Sequence, residues 1–256
     1  MKYLDMHVHL DFMNDPLRVA RDAEADGVGM LAVTVTPADY LRLREEVKGA
    51  GNVRPAVGLH PWWAADGRCT LKDAAMAAEL ARGSRFVGEI GLDASPKHVP
   101  EGSLPAQMQA LEMICSACAG ANDPAEPKIL SLHSVKAAGL TLDILERTGC
   151  LGRCRCIFHW FTGSNEELTR ALKAGCMFSV NEMMLRTRRG REYVRQLPAD
   201  RLLTETDLPP GEHIPFPAAE ITASLERTIR ELNALRGTDM TGILAQNSER
   251  LLGSRL

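Results

Sequence analysis

Short apolar runs alternate with amphipathic stretches along the whole chain. Lys2–His9, Val28–Val35, Val53–Leu59, Arg85–Ile90, Lys128–His133, Arg155–His159, Cys176–Val180 and Arg201–Thr206 are rich in Val, Ile, Leu or Met. Their near-continuous apolar character predicts parallel strands covered on both faces. Between them lie helical patterns. Pro16–Asp26 puts Leu17, Ala20 and Ala23 on one face, and Pro37–Ala50 opens after Thr36, a capping residue followed by Pro at the first helical position. Leu71–Arg82, Pro105–Gly120, Val135–Thr148, Asn165–Ala174, Arg189–Leu197, Ala218–Leu235 and Thr241–Leu252 complete the series. Eight strand–helix repeats without a break in composition predict an α/β fold, a single-domain (β/α)₈ TIM barrel spanning residues 1–256. An open doubly wound sheet is the alternative. It would carry a Gly-rich phosphate turn after an early strand, and none is present.

Composition narrows the function classes. A net charge of −3 creates no global field that would draw the chain onto nucleic acid or a membrane, so any grip on a polyanion must come from a local patch. The apolar run Val28–Val35 is too short to span a bilayer, and the chain opens on a strand-like run rather than a secretory leader. A cytoplasmic protein with no membrane association is expected. The seven cysteines show no framework spacing, and Cys115-x-x-Cys118 sits in a helical pattern without a second pair. They read as reduced thiols.

The chemistry-bearing residues gather where a barrel would use them. His7 and His9 end the first strand, His60 follows the third, Glu89 ends the fourth, His133 and His159 end the fifth and sixth, and Asp207 ends the eighth. In this fold those ends meet at one mouth, where active sites lie. Residues two apart on a strand point the same way, so His7 and His9 can reach one cation. Imidazole with carboxylate suits zinc, manganese or a similar ion. Glu89 is placed to bridge two ions, and Asp207 to ligate one and hold or deprotonate a water. Glu205 shares the face of Asp207, as an outer or additional ligand. His98 and His213 fall outside the set.

With these residues in place, the sequence resembles the TatD family of metal-dependent hydrolases, in the amidohydrolase superfamily. The matching segments run in order from end to end. They are Asp5-Met-His7-Val-His9-Leu-Asp11, Gly58-Leu-His60-Pro61, Val87-Gly88-Glu89-Ile-Gly91-Leu-Asp93, Leu132-His133-Ser134, Phe158-His159-Trp-Phe161-Thr-Gly163, Leu203-Thr-Glu205-Thr-Asp207-Leu-Pro209 and Asn247-Ser-Glu-Arg-Leu251-Leu252. The resemblance implies one or two divalent ions (Mg²⁺, Mn²⁺ or Zn²⁺) at His7, His9, Glu89, His133, His159 and Asp207. It also implies exonuclease-type cleavage of DNA phosphodiester bonds. Asp207, Glu89, His60 and Glu205 are the expected catalytic set, acting with metal-activated water. Three positions depart from the family pattern: Ala94 where an aromatic is usual, Val135 where Arg is frequent, and Trp160 where Cys is common. They bear on the substrate rather than on the ligands.

Two features favour nucleic acid. The loop after the seventh strand holds Arg186, Arg188, Arg189, Arg191 and Arg195, the densest basic stretch in the chain, which can grip a phosphate backbone or form a solvated helix face. Phe12, Trp62, Trp63, Trp160 and Phe161 gather at strand–helix loops, where they can stack bases or line an apolar pocket. His60, Trp62, Lys136, Trp160, Arg186 and Arg188 are the expected substrate contacts. A structural hydrogen bond before Pro61 is the alternative for His60. DNA or another phosphodiester is the expected partner. Two rival readings stand: hydrolysis of a carboxyl ester or amide, including acylated nucleic acid ends, and a subunit of a multi-protein system such as anti-phage defence.

Overall fold

The structure is a computed structural model that describes residues 1–212 and 216–253. His213 lies outside the described residues. Strands and helices alternate in chain order: β1 (Tyr3–Val8), α1 (Pro16–Ala25), β2 (Val28–Ala32), α2 (Pro37–Glu46), β3 (Val53–Pro55), β4 (Val57–Leu59), α3 (Pro61–Ala65) and α4 (Leu71–Gly83). There follow β5 (Phe86–Asp93), α5 (Leu104–Gly120), β6 (Ile129–Val135), α6 (Ala138–Arg147), β7 (Arg155–His159), α7 (Asn165–Lys173) and β8 (Met177–Val180). The series closes with α8 (Glu182–Leu185), α9 (Arg188–Gln196), β9 (Leu202–Thr204), α10 (Ala218–Arg236) and α11 (Thr241–Leu252).

Several elements differ from the sequence expectation for definable reasons. The third predicted strand is split into β3 and β4. Pro55 offers no N–H to a ladder, and the carbonyl of Ala56 accepts from the Thr34 hydroxyl at 2.8 Å. Strand β5 runs on to Asp93, which places Glu89 in mid-strand rather than at its end. Strand β6 absorbs Val135, expected to open a helix. Lys136 then takes φ of 53°, and α6 starts at Ala138. The short helices α3 and α8 were not anticipated.

The residues form two compact units. The first comprises Met1–Ala32, Arg42–Pro55 and the described residues from Phe178 onward. Its strands β1, β2 and β3 pair in parallel, with Tyr3 opposite Val28 and Met30 opposite Val53. Strand β8 pairs with β9 in the same sense, Phe178 opposite Leu202. β9 is tied to β1 by the Thr204 hydroxyl, which donates to the Leu4 carbonyl at 2.9 Å. All six residues of β1 are buried, with α10 and α11 against it. Asn52 donates to the carbonyls of Ala20 and Val28 at 2.9 and 3.0 Å and closes the base of β2.

The second unit comprises Val33–Leu41 and Ala56–Met177, with β4, β5, β6 and β7 in parallel order. The extended residues after β2 join them. Thr34 N–H donates to Gly88 O, and Glu89 N–H donates to Thr34 O, each at 3.0 Å. That approach requires Gly58, where a Cβ would lie 1.5 Å from the Thr34 carbonyl oxygen. The buried Lys128 ammonium donates to the carbonyls of Ala81, Arg82 and Ser84, caps the C-terminal end of α4, and so meets its hydrogen-bonding demand. Every cysteine of the chain is free and buried. Among the described residues no helix is long and apolar enough to cross a membrane.

Candidate metal centre

In the second unit, β5, β6, β7 and the residue after β4 bring four side chains together. Oε1 of Glu89 lies 3.4 Å from His60 Nε2, 2.7 Å from His133 Nδ1 and 2.9 Å from His159 Nε2. Glu89 is 2% exposed, so this is a buried carboxylate ringed by imidazoles. Hydrogen bonds fix part of the proton placement. His60 Nδ1 accepts the backbone N–H of Trp62 at 3.1 Å, which leaves the proton on Nε2 facing Glu89. This same bond makes His60 the N-cap of α3, with Pro61 at the first helical position.

His133 is held between two carboxylates, Glu89 at Nδ1 and Asp93 at Nε2, the latter at 3.2 Å. Burial opposes protonation of this ring, but the bonds to Asp93 and Glu89 outweigh it and raise its pKa. Without a cation, both ring nitrogens must carry protons to satisfy both acids. With a cation beside Glu89, Nδ1 is free to serve as a ligand while Nε2–H stays on Asp93. That second state is the familiar arrangement in which a carboxylate orients a ligating histidine. The donor set therefore fits a divalent ion.

The first unit holds a second group. Asp5 and His7 lie on β1 and His9 directly follows it, at two-residue intervals. Oδ1 of Asp207 lies 3.7 Å from His7 Nε2 and 3.6 Å from His9 Nε2. Two ligands about 2.1 Å from a tetrahedral ion stand about 3.4 Å apart, so these spacings match the edges of a coordination sphere better than direct hydrogen bonds. His9 stacks on Phe12 with ring centroids 4.6 Å apart, and its Nδ1 faces Asp11 at 3.5 Å. Asp207 takes φ of 60°, a conformation costly for a residue with a Cβ, and its N–H donates to His7 O at 2.9 Å. Burial pushes the Asp5 carboxyl up to about 7, against the lowering effect of bonds from Thr206 and His7.

Glu205 is fully buried and accepts from the Ser179 hydroxyl and from Asn181 Nδ2 at 2.9 Å. Asn181 in turn caps α8 by accepting Met184 N–H. Glu182 is turned toward Arg227 at 2.6 Å and Ser224 at 3.0 Å, which ties α8 to α10.

The expected substrate contacts divide. Trp62 and Trp160 are half-buried and Lys136 is exposed, with Lys136 and Trp160 at φ of 53° and 38° immediately beyond β6 and β7. Arg186, Arg188 and Arg189 are exposed at the α8–α9 junction. Arg191 and Arg195 are engaged instead, by Glu231 and Glu192. Phe161 is not available for stacking. It is 1% exposed and packs edge-on against Phe158. Trp63 lies under the Arg68 guanidinium at 3.9 Å. Sequence reasoning passed over Asp93, since a strand ending at Ile90 hides that Glu89 and Asp93, four residues apart on β5, both reach His133. Continuing the two-residue period would have found it.

The sequence profile of the TatD-related DNases matches residues 4–253. The chain is 26% identical to human deoxyribonuclease TATDN3, over 97% of this chain and 93% of that protein. It is 30% identical to the 3'-5' ssDNA/RNA exonuclease TatD of Erwinia billingiae, over 77% and 74% of the respective chains. Among solved structures it resembles the TatD homologue YjjV of Escherichia coli, with a TM-score of 0.77, 21% identity and coverage of 98% and 97%. The shared fold is a (β/α)₈ barrel. The chain belongs to the TatD-related DNase family and is a hydrolase.

Proposed function

We propose that this hydrolase is a divalent-metal-dependent deoxyribonuclease that cleaves phosphodiester bonds from a strand end. The observation that carries the reading is the buried Glu89 carboxylate with three imidazoles around one oxygen. His7, His9, Glu89, His133, His159 and Asp207 would hold one or two ions of the Mg²⁺, Mn²⁺ or Zn²⁺ class. When bound, such an ion polarises a phosphoryl oxygen and makes water easier to deprotonate.

The remaining roles belong to the chain's own residues. The Asp207 carboxylate, on a side chain 24% exposed, is the acceptor for the proton of the attacking water. Water oxygen bonds to phosphorus, the P–O bond to the leaving nucleotide breaks, and that oxygen takes up the proton that Asp207 accepted. His60 Nε2–H, turned inward by its bond to Trp62, is a donor for a phosphoryl oxygen. Arg186, Arg188 and Lys136 are exposed cations suited to the backbone of the strand. Trp62 and Trp160 offer half-buried rings for a base. The names of the human and Erwinia relatives support DNA as the substrate class.

The test is cleavage of end-labelled single-stranded DNA with Mg²⁺, Mn²⁺ or Zn²⁺, beside an EDTA control and the Asp207→Ala variant. Metal-dependent cleavage lost in the variant is the expected result. A metal-loaded protein that leaves all DNA intact would overturn the reading and direct the search to carboxyl ester or amide bonds.

A further inference from the structure

Asp93 lies four residues beyond Glu89 on β5 and is fully buried. Its Oδ2 faces three side-chain nitrogens: Trp62 Nε1 at 2.8 Å, His98 Nδ1 at 2.8 Å and His133 Nε2 at 3.2 Å. Its Oδ1 accepts Ser95 N–H at 2.7 Å. Gln107 of α5 grips the backbone from both sides, accepting Asp93 N–H at 2.8 Å and donating to Asp93 O at 3.0 Å. The indole of Trp62 and the ring of His98 stand 5.2 Å apart, and His98 is 38% exposed. An acceptor fixed by these bonds sits between a candidate metal ligand and a partly exposed aromatic pair. So many donors on one buried side chain exceed what packing β5 against its neighbours requires.

Resting on the deoxyribonuclease reading, we propose that Asp93 is a positioning residue that sets the metal ligand and the substrate platform together. It keeps the His133 proton on Nε2, so that Nδ1 is presented beside Glu89 to the ion. It also pins the Trp62 indole N–H, so that the indole face and His98 form a fixed ledge for a nucleobase next to that imidazole. The ledge accepts any planar base, because stacking is sequence-tolerant. An amide cannot hold the same geometry, because with its oxygen at the Oδ2 position its NH₂ group would face the Ser95 N–H that Oδ1 now accepts.

The experiment compares Asp93→Asn and Trp62→Phe with wild type after chelator stripping, with folding checked by circular dichroism. Mn²⁺ affinity is read by titration calorimetry, His133 protonation by ¹⁵N imidazole shifts, and the split between KM and kcat on labelled single-stranded DNA. Asp93→Asn is expected to weaken Mn²⁺ binding about 10- to 100-fold, the usual cost of losing an outer partner of a ligating histidine. It should also shift the Nε2 signal of His133 and raise KM. Trp62→Phe removes one donor and leaves the His133 bond, so it should raise KM with Mn²⁺ affinity within threefold of wild type. A folded Asp93→Asn protein with wild-type Mn²⁺ affinity and unchanged imidazole shifts would overturn the proposal, as would equal losses of Mn²⁺ affinity in both variants. A wild-type protein that binds no divalent ion would overturn the centre itself, and the role of Asp93 with it.

Discussion

Glu89→Gln probes the centre most directly, because the amide keeps the shape and one acceptor oxygen while removing the charge. In the metal-free protein, Glu89 Oε1 has two short imidazole contacts, 2.7 Å to His133 and 2.9 Å to His159. A hydrogen bond to a charged group contributes about 1.5–3 kcal/mol and a neutral one about 0.5–1.5 kcal/mol. Each short contact therefore loses about 1 kcal/mol, and the stripped protein about 2 kcal/mol in total. The effect on the ion is larger. Loss of an outer partner alone weakens binding about 10- to 100-fold, so loss of a carboxylate ligand is expected to cost at least about 100-fold, or about 2.8 kcal/mol. The assay is calorimetric titration of stripped protein with Mn²⁺ or Zn²⁺, paired with thermal melts in the presence and absence of the ion. Metal-induced stabilisation follows RT ln(1 + [L]/Kd) and should shrink accordingly. A variant that binds either ion within threefold of wild type would refute Glu89 as a ligand.

Two further outcomes follow from the geometry. Gly91→Ala places a Cβ 2.0 Å from His133 O at a φ of 145°, so β6 must move and stability should fall by at least about 3 kcal/mol. An unchanged urea midpoint would show that the approach of β5 to β6 is looser than described. For Asp5, the folded carboxyl is raised to about 7 from the ordinary 3.8. Between those values the folded protein keeps a proton that the unfolded chain has released. The group's contribution to stability is therefore full at low pH and is lost as pH rises toward 7, by at most about 4 kcal/mol. Asp5→Asn should flatten that decline in the stripped protein. Identical slopes of stability between pH 4 and 7 in the two proteins would contradict it.

Much of this was legible in the chain because it is local. Apolar runs set which segments become parallel strands, and the period of two along β1 alone puts His7 and His9 on one face. Thr36 before Pro37 announces α2, and the Thr36 hydroxyl does accept Asp39 N–H at 3.1 Å. The candidate ligands stand out because His and carboxylates recur at strand ends, where packing by itself has no use for them. What the sequence could not decide depends on neighbours distant along the chain. Asp93 and Trp62 are 31 positions apart, and only the packing of α3 beside β5 joins them. Phe161 reads as a stacking aromatic, yet it is buried edge-on against Phe158. The five arginines after β8 look alike in sequence, but Glu231 and Glu192 engage two of them and leave Arg186, Arg188 and Arg189 exposed. The left-handed backbones of Lys136 and Trp160 carry no local signature, because neither is Gly, Asn or Asp. Periodicity and residue type thus determined the strands and the chemistry available. Tertiary packing decided which nitrogen faces which oxygen, because that is set by contacts among strands that meet only in the folded chain.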